Sequence, residues 1–135
     1  MILELAAVLT LAQRCAPTIA PETMLSVVQV ESRFNPLAIN VNGAADPAPA
    51  RTASEAIRTA EALIRQGRSV DLGLAQINSK NLAWLGMTVA DAFDPCRNLA
   101  GAARVLEAGY VSAARSAPQQ QALRMAFSAY NTGDH

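Results

Sequence analysis

A chain of 135 residues and 14.2 kDa is the size of one domain and can bury an apolar core without metal or dense disulfides. At 51% hydrophobic and 16% charged residues it lies far from the composition of disordered chains. Eleven basic and eleven acidic residues cancel, and the dispersed arginines leave no electropositive stripe for nucleic acid and no basic cluster for an anionic membrane.

The opening segment, Met1 to Ala12, is apolar but carries Glu4, lacks a basic leading region and is too short for a bilayer, which takes roughly 20 residues. It reads as neither a signal peptide nor a membrane span. Leu5, Val8, Leu9 and Ala12, at i, i+3, i+4 and i+7, predict a first core-facing helix. Ala16-Pro17 and Ala20-Pro21 break that pattern. Pro21 suits the first turn of a second helix, where its missing N–H is not needed, and Asn35-Pro36 stops that helix at about Phe34.

Leu37 to Gly43 alternates apolar and polar residues and predicts a short strand, followed by a small-residue loop from Ala44 to Ala50. Thr52-Ala53-Ser54-Glu55 has capping-box spacing, and Ile57, Ala60 and Ile64 form the apolar stripe of a third helix ended by Gly67. Val70 to Ile77, around Gly73, reads as a second strand or an extended loop that brings backbone close to a neighbour. Asn81 to Leu85 is a helical turn or two ended by Gly86. Thr88 to Asp91 is a second capping box, and Asp94-Pro95 opens a long helix with Leu99, Ala102, Ala103, Leu106 and Tyr110 on one face. Ala117-Pro118 separates it from a last helix carrying Leu123, Ala126, Phe127 and Tyr130. The sum is a mostly helical α+β domain with a small sheet of short strands between residues 37 and 77, and no internal repeat.

Cys15 and Cys96 lie far apart, form no CxxC pair, and accompany a single histidine, His135, at the end of the chain. The usual zinc spacings are therefore excluded. Two buried thiols and one disulfide both fit the composition; a bridge closing so long a loop would contribute about 4.5 kcal/mol on chain-entropy grounds and would point to an oxidising compartment.

Three segments carry residues out of place in a plain core. Glu31 falls at i+7 from Met24, in line with Val27 and Val28, so a carboxyl lies on the core-facing stripe of the second helix. Burial there raises its proton affinity, as a general acid requires near neutral pH; an apolar pocket does the same to the acidic glutamate of lysozyme. The ordinary alternative is a carboxylate turned to solvent or paired with Arg33. In Asp71-Leu72-Gly73-Leu74-Ala75-Gln76-Ile77-Asn78 a glycine and two amides sit among apolar residues; amides there can bind sugar hydroxyls and N-acetyl groups, or simply satisfy local backbone. In Ala129-Tyr130-Asn131-Thr132-Gly133 a stripe tyrosine precedes a helix end.

Taken in order, Glu31-Ser32, Gly73-Leu74-Ala75-Gln76-Ile77-Asn78 and Ala129-Tyr130-Asn131-Thr132-Gly133 resemble the lytic transglycosylases of the lysozyme superfamily. The resemblance covers nearly the whole chain. Phe34-Asn35-Pro36-Leu37-Ala38-Ile39-Asn40-Val41-Asn42-Gly43 and Phe93-Asp94-Pro95-Cys96-Arg97-Asn98-Leu99 are similar to the branch associated with type IV secretion systems. The resemblance implies a lysozyme-like fold, peptidoglycan glycan strands as substrate, secretion-system components as partners, and a periplasmic setting. It implies one catalytic acid/base, Glu31, supported by Ser32 and hydrogen-bonded by Tyr130. Gly73, Leu74, Ala75, Gln76, Ile77 and Asn78 would line the glycan groove, with Asn42 in the same groove and Asn131 near the scissile bond. Ala75 stands where many members carry methionine, which widens that wall. Relatives usually continue past the Tyr-Asn-Thr-Gly segment, so residues 1–135 are expected to be a single catalytic domain that lacks a final element.

Glycosidases normally use two carboxyl groups about 5–5.5 Å or 6.5–9.5 Å apart, and only one is evident in the motifs. A transglycosylase needs neither activated water nor a cofactor, because the muramic C6 hydroxyl closes on C1. The rivals are a lysozyme-type hydrolase in which Asp71 or Asp46 activates water, and a non-catalytic glycan-binding or scaffold domain.

Overall fold

The computed structural model describes residues 1–114 and Tyr130. Its elements in chain order are α1 (Leu5–Cys15), α2 (Pro21–Ser32), β1 (Ile39–Val41), α3 (Ala53–Arg65), β2 (Val70–Leu72), β3 (Ile77–Asn78), a 3-10 turn (Ser79–Asn81), α4 (Leu82–Leu85), α5 (Val89–Ala92) and α6 (Pro95–Ala114). The α+β class expected from the sequence is the one that forms. The last predicted helix, with Leu123, Ala126 and Phe127, and the site candidate Asn131 lie outside the described residues.

Local chemistry sets the element ends. Pro21 occupies the first turn of α2, the Thr52 side chain accepts from Glu55 N–H at the start of α3, and Thr88 with Asp91 makes a full capping box on α5. Each such cap is worth about 1 kcal/mol. The second helix ends at Ser32, two residues before the expected stop, because Arg33 and Phe34 both take left-handed backbone at φ 53° and 66°. Non-glycine residues adopt that region at a cost. Here it turns the chain sharply, and Phe34 C=O accepts from Leu3 N–H at 2.8 Å.

The first helix departs from its predicted stripe. Val8 and Ala12 are fully buried, whereas Leu5 is 59% exposed. As the first helical residue it projects past the helix end rather than over a preceding turn.

The three strands form one antiparallel sheet in the order β1-β2-β3, with α3 inserted between β1 and β2. Register pairs Asn40 with Asp71 and Asp71 with Asn78. Because side chains alternate across a strand, those three polar residues share one face of the sheet. Ile39, Val41, Val70, Leu72 and Ile77 fall on the other and are buried in the core. Met24, Val27 and Val28 of α2 and Leu99, Ala102, Ala103 and Leu106 of α6 join them, each large apolar side chain contributing about 1.5–3 kcal/mol. Cys15 and Cys96 form a disulfide that ties the end of α1 to the start of α6.

Candidate active site

The last turn of α2 carries Glu31, near enough to Asp71 of β2 to feel its charge. Its Oε1 is sealed from solvent and has no hydrogen-bond partner among the described residues. Loss of hydration, and secondarily the negative charge of Asp71, raise its pKa to about 7 from an ordinary 4.5. A carboxyl so placed holds a proton over a large part of its population at neutral pH and can release it to a ligand oxygen that offers the missing hydrogen bond.

Tyr130 is buried, and its hydroxyl donates to the Ala75 carbonyl. Burial, then the charges of Glu31 and Asp71, push its pKa well above the usual phenol value, so Glu31, Asp71 and Tyr130 form one electrostatic cluster. Ser32, beside Glu31 in sequence, donates its hydroxyl to Val28 C=O one turn back at 3.2 Å. That bond ties it to the helix backbone.

The polar face of the sheet is wired together. Asn78 Nδ2 donates to Asp71 Oδ1 at 2.8 Å and to Ser69 Oγ at 3.0 Å, while Asn42 Nδ2 donates to the same Ser69 oxygen at 3.0 Å. Asn42 thus sits on the rim of this face, exposed, and joined through Ser69 and Asn78 to Asp71.

Gly73 to Gln76 forms the turn between β2 and β3, and the segment from Gly73 to Asn78 is buried throughout. Leu74, Ala75 and Ile77 have no more than 1% exposure, and Gln76 and Asn78 only 5% and 3%. The side chains of Leu74 and Ile77 are core. Gln76 adopts φ 54° and is clamped: Nε2 donates to Ala38 C=O at 3.1 Å and Gly73 C=O at 3.0 Å, and Oε1 accepts from Asn40 Nδ2 at 2.6 Å. Gly73, at φ 77°, lies so close to α5 and α6 that a Cβ there would collide with the Ala92 carbonyl oxygen and with Asn98 Nδ2. This is the close backbone approach its sequence context predicts, directed at the scaffold.

Sequence reasoning missed Asn98. It is fully buried; its Oδ1 accepts from Ala75 N–H at 2.9 Å and its Nδ2 donates to Leu72 C=O at 3.0 Å and Ala92 C=O at 2.7 Å. One side chain of α6 therefore fixes the turn whose carbonyl receives Tyr130. The available signal was an asparagine on an apolar stripe, one position before Leu99. Among the described residues no three His, Cys, Asp or Glu side chains gather as a metal site.

The sequence matches the profile of the Transglycosylase SLT domain over residues 9–135. It is similar to the type IV secretion system protein virB1 of Brucella abortus, 48% identical over 128 residues that make up 93% of this chain and 54% of that protein. It is also similar to protein virB1 of Agrobacterium fabrum, 40% identical over 123 residues, 91% of this chain and 50% of that protein. The chain spans about half the length of the curated relatives it matches. No solved structure matches it significantly.

Proposed function

This chain belongs to the Transglycosylase SLT domain family, and we propose that it is a lytic transglycosylase cleaving the β-1,4 bond between N-acetylmuramic acid and N-acetylglucosamine in peptidoglycan. The observation that carries the reading is the Glu31 carboxyl, with one oxygen buried and unbonded among the described residues and a pKa raised to about 7.

Glu31 donates its proton to the bridging oxygen as the C1–O bond breaks, and the N-acetylglucosamine side leaves as an alcohol. Positive charge develops on the muramic ring, which a substrate N-acetyl group and the nearby Asp71 carboxylate stabilise. Glu31, now a carboxylate, takes the proton of the C6 hydroxyl as that oxygen bonds to C1. The 1,6-anhydro product forms and the acid is regenerated, so atoms and charge balance over the cycle.

The buried Tyr130 donates its hydroxyl to the Ala75 carbonyl, and its apolar ring helps to exclude water around Glu31. Ser32 shapes the helix end that aims Glu31. The Gly73–Asn78 segment lines the groove with its backbone, Gln76 and Asn78 hold it from beneath through their engaged amides, exposed Asn42 is the candidate sugar contact among the described residues, and Asn131 is a further candidate. Residues 1–135 act as one catalytic domain. The virB1 names of the relatives support a role in opening the wall locally for a type IV secretion system, in the periplasm, where the glycan is. No helix among the described residues is long and apolar enough to cross a membrane.

Digestion of purified peptidoglycan by wild type and Glu31→Gln, with products identified by mass spectrometry, tests the proposal. The expected result is anhydro-muropeptides from wild type and at least a ~100-fold loss in the variant, the scale of general acid catalysis. Unchanged turnover in Glu31→Gln would remove Glu31 from the chemistry. Release of reducing-end products alone, abolished by Asp71→Asn, would make the enzyme a hydrolase.

A further inference from the structure

The face built by α4, α5 and α6 carries a second concave site. Gly86, at φ 68°, ends α4 and turns the chain. Met87 after it lies over Gly101 of α6, so close that a Cβ on Gly101 would stand 2.6 Å from the Met87 sulfur. Ala100 and Gly101 are thus the small floor of a notch of about 280 Å³, with Leu85 and Met87 as its apolar wall and Arg97 and Arg104 at its two ends. Seven residues of helix set the two arginines roughly 10 Å apart along one side of α6. No member of the Glu31 cluster lines the notch.

The two arginines are not equivalent. Arg97 is bonded to Asp91, whereas among the described residues no carboxylate reaches Arg104 within ion-pair distance. Arg104 is nonetheless held: Nη1 donates to Leu85 C=O at 2.9 Å, and its guanidinium carbon lies 5.6 Å from the centre of the Trp84 ring. Exposed and fixed at one nitrogen, it offers its remaining N–H groups in the planar fork that matches a carboxylate. Trp84, the one tryptophan of the chain, is 46% exposed, yet its indole N–H is committed to Asn81 Oδ1 at 2.8 Å. An exposed indole restrained at its polar end and under one face adds apolar area to an interface at little cost in side-chain entropy. Trp, Arg and Met are residue types enriched at the centres of protein interfaces, and here all three surround one apolar notch.

We infer that this notch docks an acidic segment of a partner protein, which seats one aliphatic side chain over Ala100 and Gly101 and places a carboxylate on Arg104. Size selects that occupant: about 280 Å³ holds a single side chain and falls short of the ~300–1,000 Å³ of small-molecule and cofactor sites. The lining selects against a sugar, whose hydroxyls need polar partners, because floor and wall are apolar. Charge selects against a lipid surface: two arginines, one already paired with Asp91, are fewer than the ~4–8 clustered basic residues that hold anionic headgroups. The site is separate from the glycan chemistry and does not depend on the transglycosylase reading.

The test is an NMR titration of the whole chain with the acetylated, amidated tetrapeptide Glu-Leu-Ala-Glu, beside Lys-Leu-Ala-Lys and Glu-Ala-Ala-Glu. Saturable shifts are expected at the Trp84 indole N–H, Gly86, Met87 and residues 100–104, with a Kd on the order of 1 mM for so small a contact. The two control peptides should bind at least ~5-fold more weakly. Arg104→Gln and Ala100→Phe should weaken the first peptide by a similar factor, one losing the charged hydrogen bond and the other the space for the side chain. Turnover of peptidoglycan by both variants should match wild type. Should Arg104→Gln fail to fold, the lysine peptide decides the charge and Ala100→Phe the space. Absence of saturable shifts, shifts centred on another face, equal binding of the lysine peptide, affinity unmoved in the folded variants, or turnover lost in parallel with binding would each overturn the proposal. So would co-sedimentation with phosphatidylglycerol vesicles that Arg104→Gln abolishes while the peptide does not bind, which would make the notch a lipid contact.

Discussion

A carboxyl with one oxygen sealed from water and no bond to it among the described residues costs the fold free energy whenever it is charged, and the cost has a definite pH signature. The folded pKa of Glu31, about 7, lies above its ordinary 4.5, so between those values the native state binds more protons than the unfolded one. Stability from this group is therefore complete below about pH 4.5 and is lost as pH rises through 7. Glu31→Gln removes the dependence: its melting temperature relative to wild type should rise steadily from pH 4 to pH 8. The gain is on the order of 1–2 kcal/mol, reduced from the full shift because solvent screens a carboxyl that is not completely enclosed. A difference that stays flat with pH would show that Glu31 is not strained. Activity follows the same proton. Turnover should fall on the alkaline side of about pH 7, and Asp71→Asn, which removes one of the two causes raising Glu31, should move that limb to lower pH. A purely structural role for Asp71 would lower the rate and leave the limb in place.

At the scale of elements, the β2–β3 turn is held from behind by Asn98, whose three bonds reach β2, the turn and α5. Asn98→Ala should destabilise the protein by about 3 kcal/mol, since each orphaned buried partner costs roughly 1–3 kcal/mol and some of that is recovered by relaxation. Urea denaturation measures it, and a loss below about 1 kcal/mol would mean that the turn holds itself. This dependence marks the boundary of what sequence patterns can carry. Glu31 on the stripe of Met24, Val27 and Val28, the caps at Thr52 and Thr88, and the alternation around Ile39 are local regularities, and they are legible. The left-handed pair Arg33-Phe34, the exposure of Leu5 and the clamping of Gln76 by Asn40 arise from where the chain meets itself. No spacing encodes those meetings. The Gly73–Asn78 segment illustrates both: its glycine and amides announce a special backbone, but partners that fix it come from distant parts of the chain, as the Asn98 to Ala75 separation of 23 and the Asn40 to Gln76 separation of 36 show.

At the scale of the whole molecule, the end of α2 that carries Glu31 and the sheet that carries Asp71 lie between α1 and α6 in the chain, and the joint between those two helices is covalent. The Cys15–Cys96 bridge closes a loop of 81 positions that contains α2, the whole sheet and α3 to α5. Every described member of the cluster except Tyr130 lies inside that loop, so restricting its unfolded freedom stabilises the site's geometry as a unit. On chain-entropy grounds the bridge is worth about 4.5 kcal/mol, and native disulfides of small secreted domains cost about 2–5 kcal/mol to remove. Cys15→Ser/Cys96→Ser should therefore lower the unfolding free energy in urea by that amount, measured against wild type that has not been reduced. Since the bridge joins α1 to α6, neither of which carries Glu31 or Asp71, folded double mutant at low temperature should retain the Glu31 pH profile while losing activity at a lower temperature than wild type. A shifted profile would instead mean that the bridge positions α2 against the sheet, and that the proton affinity of Glu31 is set by the tension of the whole frame as much as by its immediate neighbours.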